Sequence, residues 1–262
     1  MDAANKIKDK GLARKLITAV VGAIVLLSAG LVIIAAVVFT DIKATMKEVL
    51  YDVTLDSYKS VISSEVQSAI SITENYYELA QSGELPEAEA QKKAMEVIRS
   101  IRYGDDNSGY LWIDGTDYTL LMHPILPDQE GNNRYELTDQ NDVKIIQEIM
   151  KVAKEGGYNE FYFTKSDGVT VAPKVAYSKE FEPWNWVITT GVYEDDIQSV
   201  VDNSEGVVRI GQIFDQAISL MAGIAALFTV IIAIVAYILI KRIIQVIEKV
   251  KAQLTRVAQG DL

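Results

Sequence analysis

The stretch FEPWNWVITTGVYEDDI, residues 181–197, holds two tryptophans, a β-branched run, one glycine and a tyrosine that leads into acidic residues. Its apolar positions alternate and then give way to helical spacing from Glu194 onward. It reads as the last strand of a sheet running directly into a helix. Upstream, YNEFYFTK and VTVAPKVAYSK flank the turn pair Asp167-Gly168 and predict two further strands. Pro173 has no N–H to give to a ladder, so its strand is expected to be an edge or to bulge there. Further upstream, YLWID and YTLLMH flank Asp114-Gly115 as a hairpin, and NDVKIIQEIMKVAKEGG between the two strand groups is an amphipathic helix stopped by Gly156 and Gly157.

Before the hairpin, apolar residues recur at helical spacing from Asp41 to about Gln81 (Ile42, Met46, Val49, Val53, Ile62, Val66, Ile70) with no proline or glycine among them. SGELPEAEA breaks this pattern, and Pro86 with Glu84 and Glu87 opens a second helix running to Arg102. The element order is helix, helix, two strands, helix, three strands, helix, an α+β arrangement.

Residues 16–39 and 217–240 contain no charged side chain. At about 1.5 Å per residue each block makes a helix of roughly 36 Å, enough to cross a hydrocarbon core of about 30 Å. The first is too long for the apolar core of a signal peptide and is read as an uncleaved anchor. Residues 1–16 and 241–262 each carry five Lys/Arg against two acids, whereas residues 40–216 carry 32 acidic and 15 basic side chains, a net of −17. The positive-inside rule places both ends in the cytoplasm and the acidic loop outside. That excess of negative charge excludes nucleic acid as a partner.

The expected layout is therefore a cytoplasmic N-terminus (1–15), a first transmembrane helix (16–39), an extracytoplasmic domain (40–216), a second transmembrane helix (217–240) and a cytoplasmic segment (241–262). The final KRIIQVIEKVKAQLTRVAQGDL is an amphipathic helix ending at Gly260, suited to a partner helix and too short for an output domain. The localisation expected is a multi-pass protein of the inner (plasma) membrane.

Cysteine is absent, so disulfides and thiolate metal sites are excluded, and His123 is the sole histidine. No nucleophile-elbow motif, metal-ligand spacing or cofactor motif is present, which points to a binding module and not an enzyme. Alternation puts Tyr110 and Trp112 on one face of their strand and Leu111 and Ile113 on the other. The aromatic pair either lines a small-molecule pocket or packs beneath a helix. His123 either orients a loop or touches a ligand. Lys174, in an otherwise apolar strand and three residues before Tyr177, is either a carboxylate clamp or one end of a rim salt bridge, with Arg102 as a second candidate cation.

With IRYGDDNSGYLWIDGTDYTLLMHPILPDQEG followed by PKVAYSKEFEPWNWVITTGVYEDDI, the chain resembles the single Cache sensor domain of bacterial methyl-accepting chemoreceptors. The resemblance rests on Gly109-Tyr110, His123-Pro124, Pro173-Lys174 with Tyr177, and the Trp184-x-Trp186 to Gly191-x-Tyr193 close, and it spans residues 100–197. Arg242 and the terminal QGDL are similar to the start of a HAMP linker. The resemblance implies a PAS-like five-stranded antiparallel sheet beside a long N-terminal helix. It also implies a small organic acid as ligand (acetate, propionate, pyruvate or lactate), held by Tyr110, His123, Lys174 and Tyr177, and a homodimer that signals through HAMP to a cytoplasmic output. The alternatives are the sensor region of a histidine kinase or cyclase, and an anchored extracellular hydrolase.

Overall fold

A computed structural model of the chain describes residues 2–104, 107–165 and 167–258. The QGDL stretch and the expected helix stop at Gly260 lie outside the described residues. Two compact units are present, Met1–Met46 with Glu205–Leu262, and Lys47–Ser204.

In the first unit, helix α1 (Asp2–Gln81) begins and helix α5 (Glu205–Ala258) runs. Both carry a stretch long and apolar enough to cross a membrane, and no residue of either stretch is buried within the chain. They touch through stacked rings of Phe39 and Phe214, 4.9 Å apart, and through the Ser28 and Thr229 hydroxyls at 3.4 Å. A helix that turns its apolar side chains outward along such a length is matched to lipid and not to water.

The second unit takes the remainder of α1 and adds α2 (Glu87–Ser100), α3 (Ile145–Ala153) and α4 (Glu194–Asn203) around a sheet. Its strands are β1 (Leu111–Gly115), β2 (Leu120–Met122), β3 (Gly157–Thr164), β4 (Val171–Phe181) and β5 (Trp186–Tyr193). They form one five-stranded antiparallel sheet, as expected, in the order β2-β1-β5-β4-β3. Gly156, at φ +83°, takes the left-handed conformation that ends α3 and turns the chain into β3.

Period-two alternation sorts the side chains into two cores. Leu111, Ile113, Ile188 and Trp186 pack against Val66, Ala69 and Ile70 of α1 and Ala90, Ala94 and Ile98 of α2. Tyr110, Trp112, Val187, Ala176 and Phe161 face Ile145, Ile146, Ile149 and Ala153 of α3. β3 is an edge, and its Tyr162 N–H is covered by the Asp139 carboxylate at 2.9 Å, which removes one donor from the exposed ladder.

Three expectations need correction. β4 is interior and its ladder with β3 keeps register through Pro173 (Tyr162↔Pro173); pairing with β5 ends at Lys174, so the missing N–H forfeits no bond to β5. α2 ends at Ser100, two residues before Arg102. The helix expected to run from Glu194 into the second apolar stretch, with mild interruptions at Gly206 and Gly211, breaks instead at Ser204, whose backbone is extended (φ −60°, ψ 134°), and both glycines are ordinary members of α5.

Candidate functional site

The α3-facing side of the sheet has a floor of small side chains, because β5 contributes Gly191 and Thr189 and β4 contributes Ala176 and Ser178, paired across the ladder. Gly191 is required there. A Cβ at this position would lie 2.5 Å from Val175 O and 3.0 Å from Lys174 Cε, so the stem of Lys174 passes directly over the glycine. That path delivers the Lys174 ammonium into a cage of rings: Nζ is 4.6 Å from the centroid of Tyr110, 5.0 Å from Trp112, 5.8 Å from Phe163 and 4.6 Å from Tyr193. It donates to the Tyr110 hydroxyl at 3.1 Å. Lys174 is 1 % exposed, and among the described residues no carboxylate pairs with it. Ring faces stabilise a cation by roughly 0.5–2 kcal/mol each, far less than the cost of removing an ammonium from water without a counter-ion.

His123, also 1 % exposed, closes one side, with its ring 5.3 Å from that of Tyr110 and 5.8 Å from that of Trp112. Burial, and then the charges of Arg134, Lys174 and Arg99, hold its pKa down at about 3, so the ring is neutral at physiological pH. Nδ1 accepts from the N–H groups of Ile125 and Leu126, both at 3.1 Å, which leaves the ring proton on Nε2. His123 thus orients the 123–131 loop, as one of its two readings expected, and its ring borders the aromatic cage. The loop is secured by Glu130, which accepts from the His123 N–H at 2.7 Å and from Arg99 through two bonds of 2.6 and 2.9 Å. Burial pushes the Glu130 carboxyl up, but the Arg99 and His123 donors outweigh it and bring it below the usual range.

Behind Trp112 lies a second buried group. Asp114 accepts from the Trp112 indole N–H at 3.0 Å and from Arg134 through Nε at 3.1 Å and Nη2 at 2.5 Å. Burial pushes its carboxyl up against the pull of the guanidinium and the indole. The pair fixes the Trp112 ring and cancels the Arg134 charge within the protein.

Of the six residues singled out from sequence, the structure brings Tyr110, Trp112, His123 and Lys174 together. It separates the other two. Tyr177 lies an odd number of residues from Lys174 and so faces the opposite side of the sheet, against the α1–α2 core, with its ring 4.8 Å from Tyr158. Arg102 is exposed and donates to Arg99 O at 2.9 Å and Ile101 O at 2.7 Å, capping the end of α2. Sequence reasoning missed Phe163, Arg134, Asp114 and the inward face of Tyr193. Asp114 shares strand parity with Tyr110 and Trp112, and an acid in line with those aromatics signals a buried cation nearby. No local signal marks Arg134, which a loop hydrogen bond, Arg134 N–H to Tyr118 O at 2.8 Å, carries to the sheet.

A family model described as Single Cache domain 2 matches residues 55–205, more than half of the chain. The chain is similar to the methyl-accepting chemotaxis protein McpP of Pseudomonas putida, 29 % identical over 136 residues that make up 51 % of this chain and 25 % of that protein. It is also similar to the sensor histidine kinase MctS of Rhizobium johnstonii, 32 % identical over 139 residues, 52 % of this chain and 29 % of the kinase. The chain thus matches less than a third of the length of either curated relative. A solved periplasmic sensor domain of a chemotaxis protein is similar at 26 % identity and a TM-score of 0.51, covering 53 % of this chain and 96 % of that domain.

Proposed function

The chain belongs to the single Cache domain 2 family, and from that premise we propose that it is the sensor region of a transmembrane chemoreceptor that binds a small monocarboxylate through Lys174. The observation that carries this reading is the Lys174 ammonium, buried among rings with no acid beside it among the described residues. Nearby charges are already cancelled: Arg134 by Asp114 and Arg99 by Glu130, while His123 is neutral. Among the described residues one positive charge remains, and one carboxylate offsets it. A second carboxylate would be driven against Tyr110, Trp112, Phe163 and Tyr193, which offer it no cation. Acetate, propionate, pyruvate and lactate fit this charge; succinate does not.

In this reading residues 16–39 and 217–240 cross the inner membrane, residues 40–216 face outward, residues 241–262 begin a HAMP linker, and two copies pair. Calorimetry on the full chain in nanodiscs tests the ligand class. One of the four monocarboxylates is expected to bind and succinate to bind far more weakly. Loss of a charged hydrogen bond of about 1.5–3 kcal/mol in Lys174→Met lowers the affinity roughly tenfold to a hundredfold. Tighter binding of succinate, or unchanged affinity in a folded Lys174→Met chain, sinks the assignment.

The 32 % identity to MctS favours a second reading, the sensor region of a histidine kinase. Ligand-dependent methylation in native membranes supports the chemoreceptor, and ligand-dependent autophosphorylation supports the kinase.

A further inference from the structure

Tyr193 serves two surroundings at once. Its ring is a wall of the cage around Lys174, and the same ring lies 5.1 Å from the Nζ of Lys165. Its hydroxyl donates to Thr164 O at 2.8 Å, which pins the ring to the end of β3. Lys165 in turn is held by Asp195 at 2.8 Å and Asp196 at 2.6 Å, both in the first turn of α4, and α4 starts at the residue after Tyr193. Two ammonium groups therefore share one π-system, one inside the candidate site and one tied to the helix that leaves it.

We propose that Tyr193 is a positioning residue that passes the charge state of the site to α4, its ring coupling Lys174 to the Lys165–Asp195–Asp196 cluster. The inference rests on carboxylate binding at Lys174. A ring attracts a cation electrostatically, and two cations close to one ring also repel each other, so each weakens the other's hold. An anion paired with Lys174 screens that repulsion and draws the ammonium away from Tyr193. Lys165 then keeps the ring without a competitor and, through its two carboxylates, tightens the first turn of α4. A ligand shifts a two-state element only by its differential affinity for the two states, and the shared ring supplies that difference. The bond to Thr164 keeps the ring from following either lysine, so the adjustment falls on Lys165 and α4.

The test needs no ligand. Lys174→Met removes the site cation and keeps an unbranched side chain, and amide hydrogen exchange across Ile197–Asn203 is compared in the full chain in nanodiscs. Exchange in α4 is expected to slow by about fivefold or more, the ratio that corresponds to roughly 1 kcal/mol. In a Lys165→Met background the same substitution is expected to leave α4 exchange unchanged, because the link is cut. Tyr193→Leu is expected to remove the effect as well. The proposal is overturned if Lys174→Met leaves α4 exchange as it was, or if the change persists in Lys165→Met. Loss of fold in both Lys174→Met and Lys174→Gln overturns it too, since Lys174 would then be a structural strut. A failure of every carboxylate to bind the wild type is read separately by calorimetry and counts against the ligand assignment, not against this ligand-free comparison.

Discussion

Replacing Arg134 by methionine keeps most of the side chain's volume and deletes its charge. Asp114, with none of its side chain exposed, then retains only the Trp112 indole N–H, at 3.0 Å. Removing one partner of a buried ion pair costs about 3–5 kcal/mol, because the remaining charge is stranded. Against a total stability of roughly 5–15 kcal/mol this is a large fraction, and at about 2–4 °C per kcal/mol the midpoint falls by roughly 6–20 °C. Tryptophan fluorescence reads it cleanly, since the three tryptophans, 112, 184 and 186, all lie within Lys47–Ser204 and the membrane helices contribute none. The deficit also depends on pH. With the guanidinium gone, burial drives the folded carboxyl of Asp114 further above its unfolded value. An acid with a raised folded pKa contributes stability that is present at low pH and lost as pH rises through the folded value. The Arg134→Met deficit is therefore expected to be full at pH 7.5 and to shrink on acidification, and Asp114→Leu combined with Arg134→Met recovers most of the loss. A single mutant within about 1 kcal/mol of wild type at pH 7.5, or a deficit that ignores pH, would refute the reasoning.

Gly191→Ala forces a Cβ toward Val175 O and Lys174 Cε, so an overpacking cost of about 1–3 kcal/mol is expected in denaturant titration, together with weaker carboxylate binding. His123, neutral in the fold with a pKa of about 3 against about 6.5 unfolded, contributes stability that is complete above pH 6.5 and lost as pH falls toward 3, by up to ~1.4 kcal/mol per unit. His123→Asn should flatten that part of the stability profile, and an unchanged slope counts against a neutral buried ring. A short glycine insertion after Tyr193 is expected to leave carboxylate affinity near wild type while abolishing ligand-dependent crosslinking between cysteines placed in 16–39 and 217–240. Full crosslinking in the insertion mutant would move the transmission route to α1.

Much of the fold was legible because period-two alternation is a local property. Tyr110 and Trp112 against Leu111 and Ile113 foretold the two cores, and the turn pair at 167–168 located the β3–β4 hairpin, whereas Asp114 and Gly115 are the last residues of β1 and the turn follows at 116–119. The same parity excludes Tyr177 from the site, an odd step from Lys174, although the family motif groups the two. The α4–α5 break carried a signal as well, since Asn203 and Ser204 are cap-type residues. What could not be read locally is what loops deliver. Arg134 reaches Asp114 only because the chain between β2 and α3 folds back on the hairpin, and Tyr193 meets Lys174 only through the β4–β5 register.

The order β2-β1-β5-β4-β3 sets a schedule for assembly, because β5, last to be synthesised, fills the middle of the sheet. Until residues 186–193 have emerged, the β1–β2 and β3–β4 hairpins are separate pieces, each with an open edge and an uncovered apolar face. Closure pairs Leu111 with Thr190, across nearly the whole sheet sequence, a long loop to fix in one step and an intrinsically slow one. The aromatic cage around Lys174, built from β1, β3, β4 and β5, comes into being only in that step. Nascent chains halted before residue 186 should therefore be open to protease throughout the sheet region and bind no carboxylate, while those released past 204 should gain protease resistance and carboxylate binding together.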